Sequence, residues 1–145
     1  MSNELKAKIR RIIDEAWNKG NLNTLDELYA ADYVGHNASF PDTEGLKELK
    51  DFVQDTHNTY PDFHLTIDEM IMEGDTLVSR WSWQGTHKGQ SARLPIPPTG
   101  KHVTLTGCNV AHMKGGKVVE DWGFGDNLGL MQQLGVVPEM APSTS

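Results

Sequence analysis

Hydrophobic residues in the first third of the chain recur at the spacing of an amphipathic helix. The longest such run is followed by Gly20, a residue typical of the position just after a helix, and its apolar members are Leu5, Ile9, Ile12, Ile13, Ala16 and Trp17. Similar spacing over 22–29 and over 46–53 predicts two further helices. The second of these ends at Tyr60, because a residue that precedes proline avoids helical geometry. The stretch between them, "DYVGHNASFPDTEG", lacks a regular period and is predicted to be an irregular loop.

From Phe63 onward the hydrophobic period shortens to two, which is the period of a strand with one buried face. The stretches that follow this pattern are "FHLTIDEMIM", "TLVSRWSWQGTH", "KHVTLTGCNVAHMK" and "KVVEDWGF". Turns at 73–75 and at 115–116 join neighbouring stretches, while the prolines of "KGQSARLPIPPTG" stiffen a longer loop. A last short helix is predicted near 127–134, followed by the polar tail "APSTS".

Helices followed by a run of antiparallel strands predict an α+β domain. We assign residues 1–140 to one domain, with its N-terminal helices packed on a curved antiparallel sheet and a short C-terminal helix, and residues 141–145 to a disordered tail. A curved sheet of this kind closes partly into a cone whose mouth holds a small ligand. The glycines of "GFGDNLG" lack the spacing of a dinucleotide-binding loop, and no alternation of strand and helix surrounds them.

Composition narrows the class of protein. A chain of 145 residues with 37% hydrophobic and 23% charged residues is long enough to bury a core without disulfides or metals. Its net charge of −7 argues against nucleic acid as a partner, because a polyanion is bound by a basic face. The N-terminus lacks the apolar stretch of a signal peptide and no run has the length of a membrane span. We therefore expect a cytoplasmic protein without a membrane partner.

Metal and disulfide chemistry are not expected. Cys108 is the single cysteine, which excludes a disulfide framework within the chain. The six histidines have neither paired spacing on a helix nor the neighbouring carboxylates of a metal site. We therefore predict no metal site and no cofactor.

Four stretches together resemble the SnoaL-like polyketide cyclases and ester cyclases of the nuclear transport factor 2-like (NTF2-like) superfamily. They are "RWSWQGTHKG", "LPIPPTGKHV", "GGKVVEDW" and "DNLGLMQQLG", and the resemblance extends from the Trp17 helix to Gly135. It implies a cystatin-like cone, a homodimer formed through the sheet, and a cofactor-independent enzyme that binds a small hydrophobic or aromatic ligand.

The resemblance also implies an aspartate near the end of the last strand as general acid and base. In a gapless alignment of "GGKVVEDWGFGDNLGLMQQLG" that aspartate falls on Gly123, and the histidine that accompanies it falls on Asn109. Asp121 lies two residues earlier on the same strand face, so we predict that it replaces the missing acid. The alternative is a carboxylate at the rim, hydrated or paired with Arg80 or a lysine. Asp126 is better explained as the N-cap of the last helix.

The remaining candidate site residues come from several parts of the chain. His36 is predicted to be catalytic through a hydrogen bond to the substrate or to the acid, or else to pin its loop. Asn109 is expected to point inward and donate to a ligand carbonyl. Trp17 and Phe40 are expected to stack on a flat ligand. Arg80 is a candidate for holding a carboxylate or enolate, with a structural ion pair as the alternative.

The strand that contains Trp81 and Trp83 has one aromatic face and one polar face. Trp81 and Trp83 share one face of their strand, while Arg80 and Ser82 share the other. One of these faces is expected to line the cavity and the other to form a dimer interface, and the sequence leaves the choice between them open.

These features predict a cofactor-independent enzyme that acts on a small hydrophobic carbonyl compound by acid/base catalysis, through an aldol-type polyketide cyclisation or a related lyase or isomerase step. One alternative is a non-catalytic protein that binds a hydrophobic ligand, since the family aspartate is replaced by Gly123. Another is a hydrolase that uses a positioned water, which Asp121 and Arg80 would supply only in part.

Overall fold

The computed structural model describes residues 3–138, so the predicted disordered tail at 141–145 lies outside the described residues. The helical elements are α1 (Asn3–Ile13), a π-helical turn (Asp14–Asn18), a 3₁₀ helix (Leu22–Glu27), α2 (Leu46–Thr59) and α3 (Asn127–Leu134). The strands are β1 (Tyr29–Asn37), β2 (Phe40–Glu44), β3 (His64–Glu73), β4 (Thr76–Thr86), β5 (His102–Lys114) and β6 (Lys117–Gly125).

The strands form one six-stranded sheet in the order β2-β1-β6-β5-β4-β3. Neighbouring strands are antiparallel except β1 and β6, which run parallel. The predicted α+β class, with helices packed on a curved sheet, is confirmed. The sheet is nevertheless mixed rather than wholly antiparallel, because β1 returns from the N-terminal helices to lie beside the last strand.

The prediction of an irregular loop over 32–45 is wrong, since this stretch contains most of β1 and all of β2. The alternation of β1 is hard to read because neither of its faces is uniformly apolar. Tyr33, Gly35 and Asn37 border the cavity, whereas His36 contacts charged groups on the opposite face. A strand that lines a polar site therefore lacks the hydrophobic period that identifies a strand in sequence.

The N-terminal helices and α2 cover the concave face of the sheet. Their buried residues pack with those of β1, β3, β4, β5 and β6 in one cluster, whose helical members are Ile9, Ile12, Ala16, Leu25, Leu49 and Val53. The helix predicted from residue 46 is confirmed and ends at Thr59, directly before the Tyr60–Pro61 pair. Among residues 3–138, no helix is long and apolar enough to cross a bilayer.

The last helix closes the other end of the concave face. Asp126 is its N-cap, as predicted, because the Oδ1 atom of Asp126 accepts a 2.9 Å hydrogen bond from the Gly129 amide. Gly135 ends the helix in the left-handed region, with φ of 82°, where a side chain would be strained. Leu130 and Leu134 of this helix pack in a second buried cluster. The two acids Asp121 and Asp126 thus have separate roles.

The register of β4 settles which sheet face lines the cavity. Trp81 lies opposite Gly107 of β5, and both Trp81 and Trp83 border the cavity. Arg80 lies opposite Cys108 and is directed to the outer face. The tryptophan face is therefore the concave, ligand-facing side, and the arginine face is the outer one.

Candidate active site

A cavity of about 280 Å³ lies between the helices and the concave face of the sheet. Its walls are mainly apolar, and the aromatic residues that border it include Trp17, Tyr29, Tyr33, Phe40, Phe52, Tyr60, Phe63, Trp81 and Trp83. Few polar groups reach it, and among them are Asp121 and Asn109 of the sheet. Such a chamber suits a compact, largely apolar molecule with a few polar atoms.

Asp121 lies on the floor of the cavity, where its residue is only 7% exposed. The Tyr33 hydroxyl donates a 2.7 Å hydrogen bond to the Oδ1 atom of Asp121. The Nδ2 atom of Asn109 donates a 3.3 Å hydrogen bond to the other carboxylate oxygen, Oδ2. Asp121 is therefore neither a hydrated rim residue nor the ion-pair partner of Arg80 or a lysine, and that alternative is wrong.

The contact between Tyr33 and Asp121 depends on Gly35. Gly35 lies beside Asp121 in the parallel β1–β6 pair. A Cβ atom at Gly35 would overlap the Tyr33 hydroxyl and would lie 3.0 Å from Oδ1 of Asp121. The absence of a side chain at Gly35 thus leaves the gap through which the phenol reaches the carboxylate.

Asn109 is oriented by Trp81. The indole N–H of Trp81 donates a 2.8 Å hydrogen bond to Oδ1 of Asn109. Because an indole nitrogen can only donate, this bond assigns the oxygen of the amide to Trp81 and turns the Nδ2 donor toward Asp121. The Trp81 ring lies over Gly107, where any Cβ atom would overlap it. The Asn109 amide that faces Asp121 is therefore held in one orientation by Trp81, and the Trp81 ring is itself positioned by its contact with Gly107.

The environment of Asp121 favours a carboxyl that holds its proton more tightly than usual. Burial raises the pKa of Asp121, and the hydrogen bonds from Tyr33 and Asn109 and the charge of His36 offset only part of that rise. Burial, together with the negative charge of Asp121, raises the pKa of Tyr33 far above its ordinary value. Tyr33 thus stays protonated and serves as a donor.

Gly123 lies on the same face as Asp121, opposite Asn109 of β5. A Cβ atom at Gly123 would lie 3.3 Å from Nδ2 of Asn109, which is a tight but adjustable contact. The position that the family resemblance assigns to the acid is therefore open to the cavity, with the Asn109 amide beside it.

His36 is a neighbour of the cavity, but its ring contacts Glu120 and Trp122, which alternate with Asp121 along β6 and face the other side of the sheet, so the catalytic role predicted for it is corrected. Its Nε2 atom lies 2.6 Å from a carboxylate oxygen of Glu120, and its Nδ1 atom lies 3.1 Å from one of Asp42. Its ring stacks on Trp122, its neighbour in the parallel pair. Since both ring nitrogens have carboxylate partners, His36 holds β1, β2 and β6 together and has no free nitrogen for Asp121 or a substrate.

The substrate-binding role predicted for Arg80 is also corrected. The side chain of Arg80 is 60% exposed on the outer face, where it lies 3.4 Å from Glu69 and 3.7 Å from Asp68. It does not border the cavity. The structure supports the alternative of a structural ion pair. The register of β3 and β4 places Glu69 directly opposite Arg80, which brings the two charges together.

Trp17 and Phe40 both border the cavity. Trp17 packs against Phe63 and, edge to face, against Phe52, so it is held as part of the wall. Phe40 lies at the start of β2, with the guanidinium of Arg93 5.7 Å from its ring. Their positions are compatible with the predicted stacking on a flat ligand, and that role stays a prediction.

The polar cavity residues that the sequence analysis missed include Tyr33 and Arg93. Tyr33 would follow from the period of two in "YVGHN" once that stretch is treated as a strand that pairs with β6. Arg93 lies in the proline-rich loop, where no periodicity indicates the direction of a side chain. Within residues 3–138, no group of three His, Cys, Asp or Glu side chains is arranged to hold a metal ion.

The fold and the cavity define a cone-shaped α+β domain with one buried acid facing an apolar chamber. The model of the family described as SnoaL-like polyketide cyclase matches residues 7–134. This chain therefore belongs to the SnoaL-like polyketide cyclase family. Among curated proteins, none matches the chain.

Solved structures support the same assignment. TsrD from Streptomyces laurentii is 24% identical, with a TM-score of 0.84 over 94% of this chain and 99% of that one. IdmH from Streptomyces antibioticus, named as a candidate polyketide cyclase, is 30% identical, with a TM-score of 0.73 over 92% and 99%. An NTF2-like protein from Burkholderia pseudomallei is 18% identical, with a TM-score of 0.73 over 92% and 98%. The cone is thus of the NTF2-like kind.

Proposed function

We propose that this protein is a cofactor-independent enzyme that acts on a small hydrophobic carbonyl compound, with Asp121 as general acid and base. The reaction class is an aldol-type cyclisation or a closely related lyase or isomerase step. The observation that carries this proposal is a buried carboxyl with a raised pKa, held by two hydrogen-bond donors on the floor of an apolar cavity. Family membership supports the same reaction class.

The proposed step needs one group that removes a proton and then returns it. The Asp121 carboxylate takes a proton from a carbon that lies between two carbonyls, which leaves an enolate. The enolate carbon then forms a bond to a second carbonyl carbon of the same molecule, whose oxygen becomes an alkoxide. Asp121 returns the proton to that alkoxide, so the product is an isomer of the substrate. A carboxyl with a raised pKa suits both the removal and the return of the proton. Its carboxylate is a stronger base than usual, and its protonated form is still acidic enough to protonate the alkoxide.

Asn109 is the proposed oxyanion donor. One N–H of its Nδ2 atom is directed to Asp121, and the side-chain oxygen is bound by Trp81. The amide lies beside Gly123, which has no side chain to cover it, so the second N–H of Nδ2 is the proposed donor to the ligand. A donor that is fixed before the reaction stabilises a developing enolate without reorganisation, which is the main source of catalysis by such groups.

The hydrolase alternative is weakened by the structure. It required an arginine next to the acid, and Arg80 lies on the opposite face of the sheet. A ligand carrier without turnover is the other alternative, and the experiment below separates it from an enzyme.

The test is turnover of a panel of aromatic β-keto esters whose ring carries either an ester or a carboxylate, followed by absorbance and mass spectrometry. Native protein is expected to form an isomeric cyclic product, and Asp121→Asn is expected to reduce kcat by 10²-fold or more. Asp126→Asn is the matched control, because asparagine caps a helix as well as aspartate does and lies outside the cavity. Binding without turnover in native protein would identify a carrier instead.

We further propose that the protein is a homodimer in which the outer sheet faces of two copies meet. The centre of that face is apolar and lacks a covering helix among the described residues, and its members include Ile71, Val78, Val110, Trp122 and Phe124. Ile71 and Phe124 are 56% and 51% exposed. Glu69 and Arg80 lie on the same face and pair with each other, so they leave no uncompensated charge against a second copy.

A further inference from the structure

Arg93 projects from a loop that is tied firmly to α2. The loop joins β4 to β5, and Asp55 of α2 accepts hydrogen bonds from the Ser91 hydroxyl at 2.6 Å and from the Ala92 amide at 2.8 Å. The Ser91 oxygen in turn accepts a hydrogen bond from the Arg93 amide at 2.9 Å. These hydrogen bonds hold the backbone at Arg93 beside the cavity, although Arg93 lies in a long loop.

The guanidinium of Arg93 lies over the ring of Phe52 and near that of Phe40. Its central carbon is 4.1 Å from the centroid of the Phe52 ring and 5.7 Å from that of Phe40. All three residues border the cavity. A cation held over an aromatic face makes no hydrogen bond there, so the N–H groups of Arg93 still need hydrogen-bond acceptors from elsewhere.

One of those donors has no hydrogen-bond partner in the part of the chain that the structure describes. The Nη1 atom of Arg93 is buried and makes no hydrogen bond to any residue from 3 to 138. The carboxylates that act on its charge are Asp55 and Glu48, but neither forms an ion pair with it within 4 Å. Asp55 is bound by the loop, and Glu48 accepts a hydrogen bond from the Glu44 amide.

An unpaired buried donor on a charged group is costly, and because Arg93 borders the cavity, a small movement of its side chain would let an anion in the cavity pair with Nη1. Burial lowers the pKa of Arg93, which is the direction expected of a cation short of countercharge. The side chain nevertheless stays cationic at physiological pH. A planar oxyanion matches it best, because a carboxylate accepts two parallel N–H bonds from one guanidinium.

We propose that Arg93 binds the carboxylate of the ligand, so that the substrate class is an aromatic keto acid rather than its ester or amide. This inference rests on the proposed function only in using the same cavity as the ligand site. The aromatic body lies among the tryptophans and phenylalanines of the wall, the carboxylate pairs with Arg93, and the reacting carbonyls reach Asp121. The chain carries a net charge of −7, so a local cation is needed to admit an anion.

The test compares binding of 2-naphthoate with binding of its neutral analogue 2-naphthamide by isothermal titration calorimetry. Native protein is expected to bind the carboxylate at least about tenfold more tightly than the amide, since a charge-assisted hydrogen bond is worth at least that factor. Arg93→Met keeps a long apolar stem against Phe52 and is expected to abolish the preference. Arg93→Lys keeps the charge without the planar fork and is expected to retain part of it. Arg11→Met is the control, because Arg11 lies on α1, forms an exposed ion pair with Glu27 and does not border the cavity.

Each outcome decides the inference. Equal binding of the two probes by native protein, or a preference that survives in folded Arg93→Met, would overturn it while leaving the cavity as a ligand site. If native protein binds neither probe, the inference fails together with the use of this cavity. Asp121→Asn separates the two proposals, because it is expected to retain the carboxylate preference even though it loses turnover. Thermal unfolding of each variant establishes that it is folded.

Discussion

Tyr33 and Asp121 are 88 residues apart in sequence, and the hydroxyl of Tyr33 donates a 2.7 Å hydrogen bond to the Asp121 carboxylate. The bond joins β1 to β6 through their parallel pairing, in which Gly35 lies directly beside Asp121. Tyr33 also packs in the main buried cluster, so the same side chain contributes to the core and to the site. The position of the acid is therefore linked to the stability of the sheet.

Gly35→Ala is expected to weaken the fold and the site together. The added methyl group would overlap the Tyr33 ring and hydroxyl, and overpacking of this kind costs about 1–3 kcal/mol. We expect a lower free energy of unfolding in urea and a lower kcat, because the phenol has to move away from Asp121. Gly123→Ala is the comparison, since its methyl group would meet Asn109 at 3.3 Å and needs only a small adjustment. Equal stabilities of the two variants would contradict the role assigned to Gly35.

Tyr33→Phe is expected to shift the pH dependence of activity. Asp121 acts as a base only when ionised, so kcat/KM should fall as the pH falls through the pKa of Asp121, which burial raises. The Tyr33 hydrogen bond lowers that pKa, so its removal should move the acid limb of the profile to higher pH. A pH–rate profile measures the shift. Tyr29→Phe is the control, because Tyr29 borders the cavity but makes no hydrogen bond to Asp121. An acid limb that is unchanged in Tyr33→Phe would show that another group controls it.

The elements with a clear hydrophobic period could be predicted from sequence. Helices at 3–13, 46–59 and 127–134 and the four long strands follow from apolar spacing, and the cap at Asp126 follows from local side-chain chemistry. Strands β1 and β2 could not be found in this way, because their inward-facing residues serve a site and their pairing partner lies at the far end of the chain.

The part of the candidate site that lies on β5 and β6 could be predicted from the alternation of side chains along a strand. The face shared by Asp121, Gly123 and Asn109 follows from a period of two, and the structure brings these residues together. The errors at His36 and Arg80 have different causes. His36 lies in the stretch that was predicted to be an irregular loop, so no strand face was assigned to it, whereas Arg80 lies on a predicted strand whose two faces were not distinguished. A period of two relates residues within one strand, but it does not show which of the two faces is concave.

Two histidines are expected to give the unfolding free energy opposite dependences on pH. His87 is buried, its Nδ1 atom accepts a hydrogen bond from the Thr99 amide, and burial lowers its pKa from 6.5. The unfolded chain therefore binds more protons than the folded one below about pH 6.5, and stability falls as the pH decreases through that value. Hydrogen bonds to Glu120 and Asp42 raise the pKa of His36. Its contribution is complete below about pH 6.5 and is lost as the pH rises through its folded value.

Urea unfolding between pH 5.5 and 8 measures both dependences. His87→Gln is expected to lose less stability than native protein on acidification, by at most about 1.4 kcal/mol for each unit by which the pKa is lowered. His36→Gln is expected to lose more than native protein over the same range, because the stabilising charged form is absent. Parallel pH profiles for native protein and His87→Gln would show that the buried imidazole does not limit stability in acid.

The outer-face dimer is tested by a charge placed at its centre. Val110 lies between Val78 of β4 and Trp122 of β6 in the register of the sheet. Light scattering is expected to give native protein a mass of about twice the 16.1 kDa of one chain, and Val110→Arg a mass near that of one chain. A buried unpaired charge is not tolerated in an apolar interface, which is the reason for this difference. Gln54→Lys, on the exposed side of α2, adds the same charge and should stay dimeric. A native mass near 16.1 kDa would refute the dimer.

Moving the acid along β6 tests whether the cavity or one residue defines the chemistry. Gly123→Asp would place a second carboxylate on the face that holds Asp121, beside the Asn109 amide. Two carboxylates that share one site raise the pKa of one of them, so the single variant is expected to lose activity at neutral pH. The double variant Asp121→Asn/Gly123→Asp has one carboxylate again, now next to the oxyanion donor. We expect its kcat to exceed that of Asp121→Asn by about tenfold or more, because the base and its donor are both restored. If the double variant is no more active than Asp121→Asn while both remain folded, the reaction depends on the Tyr33-bound geometry of Asp121 and not only on a carboxyl within the cavity.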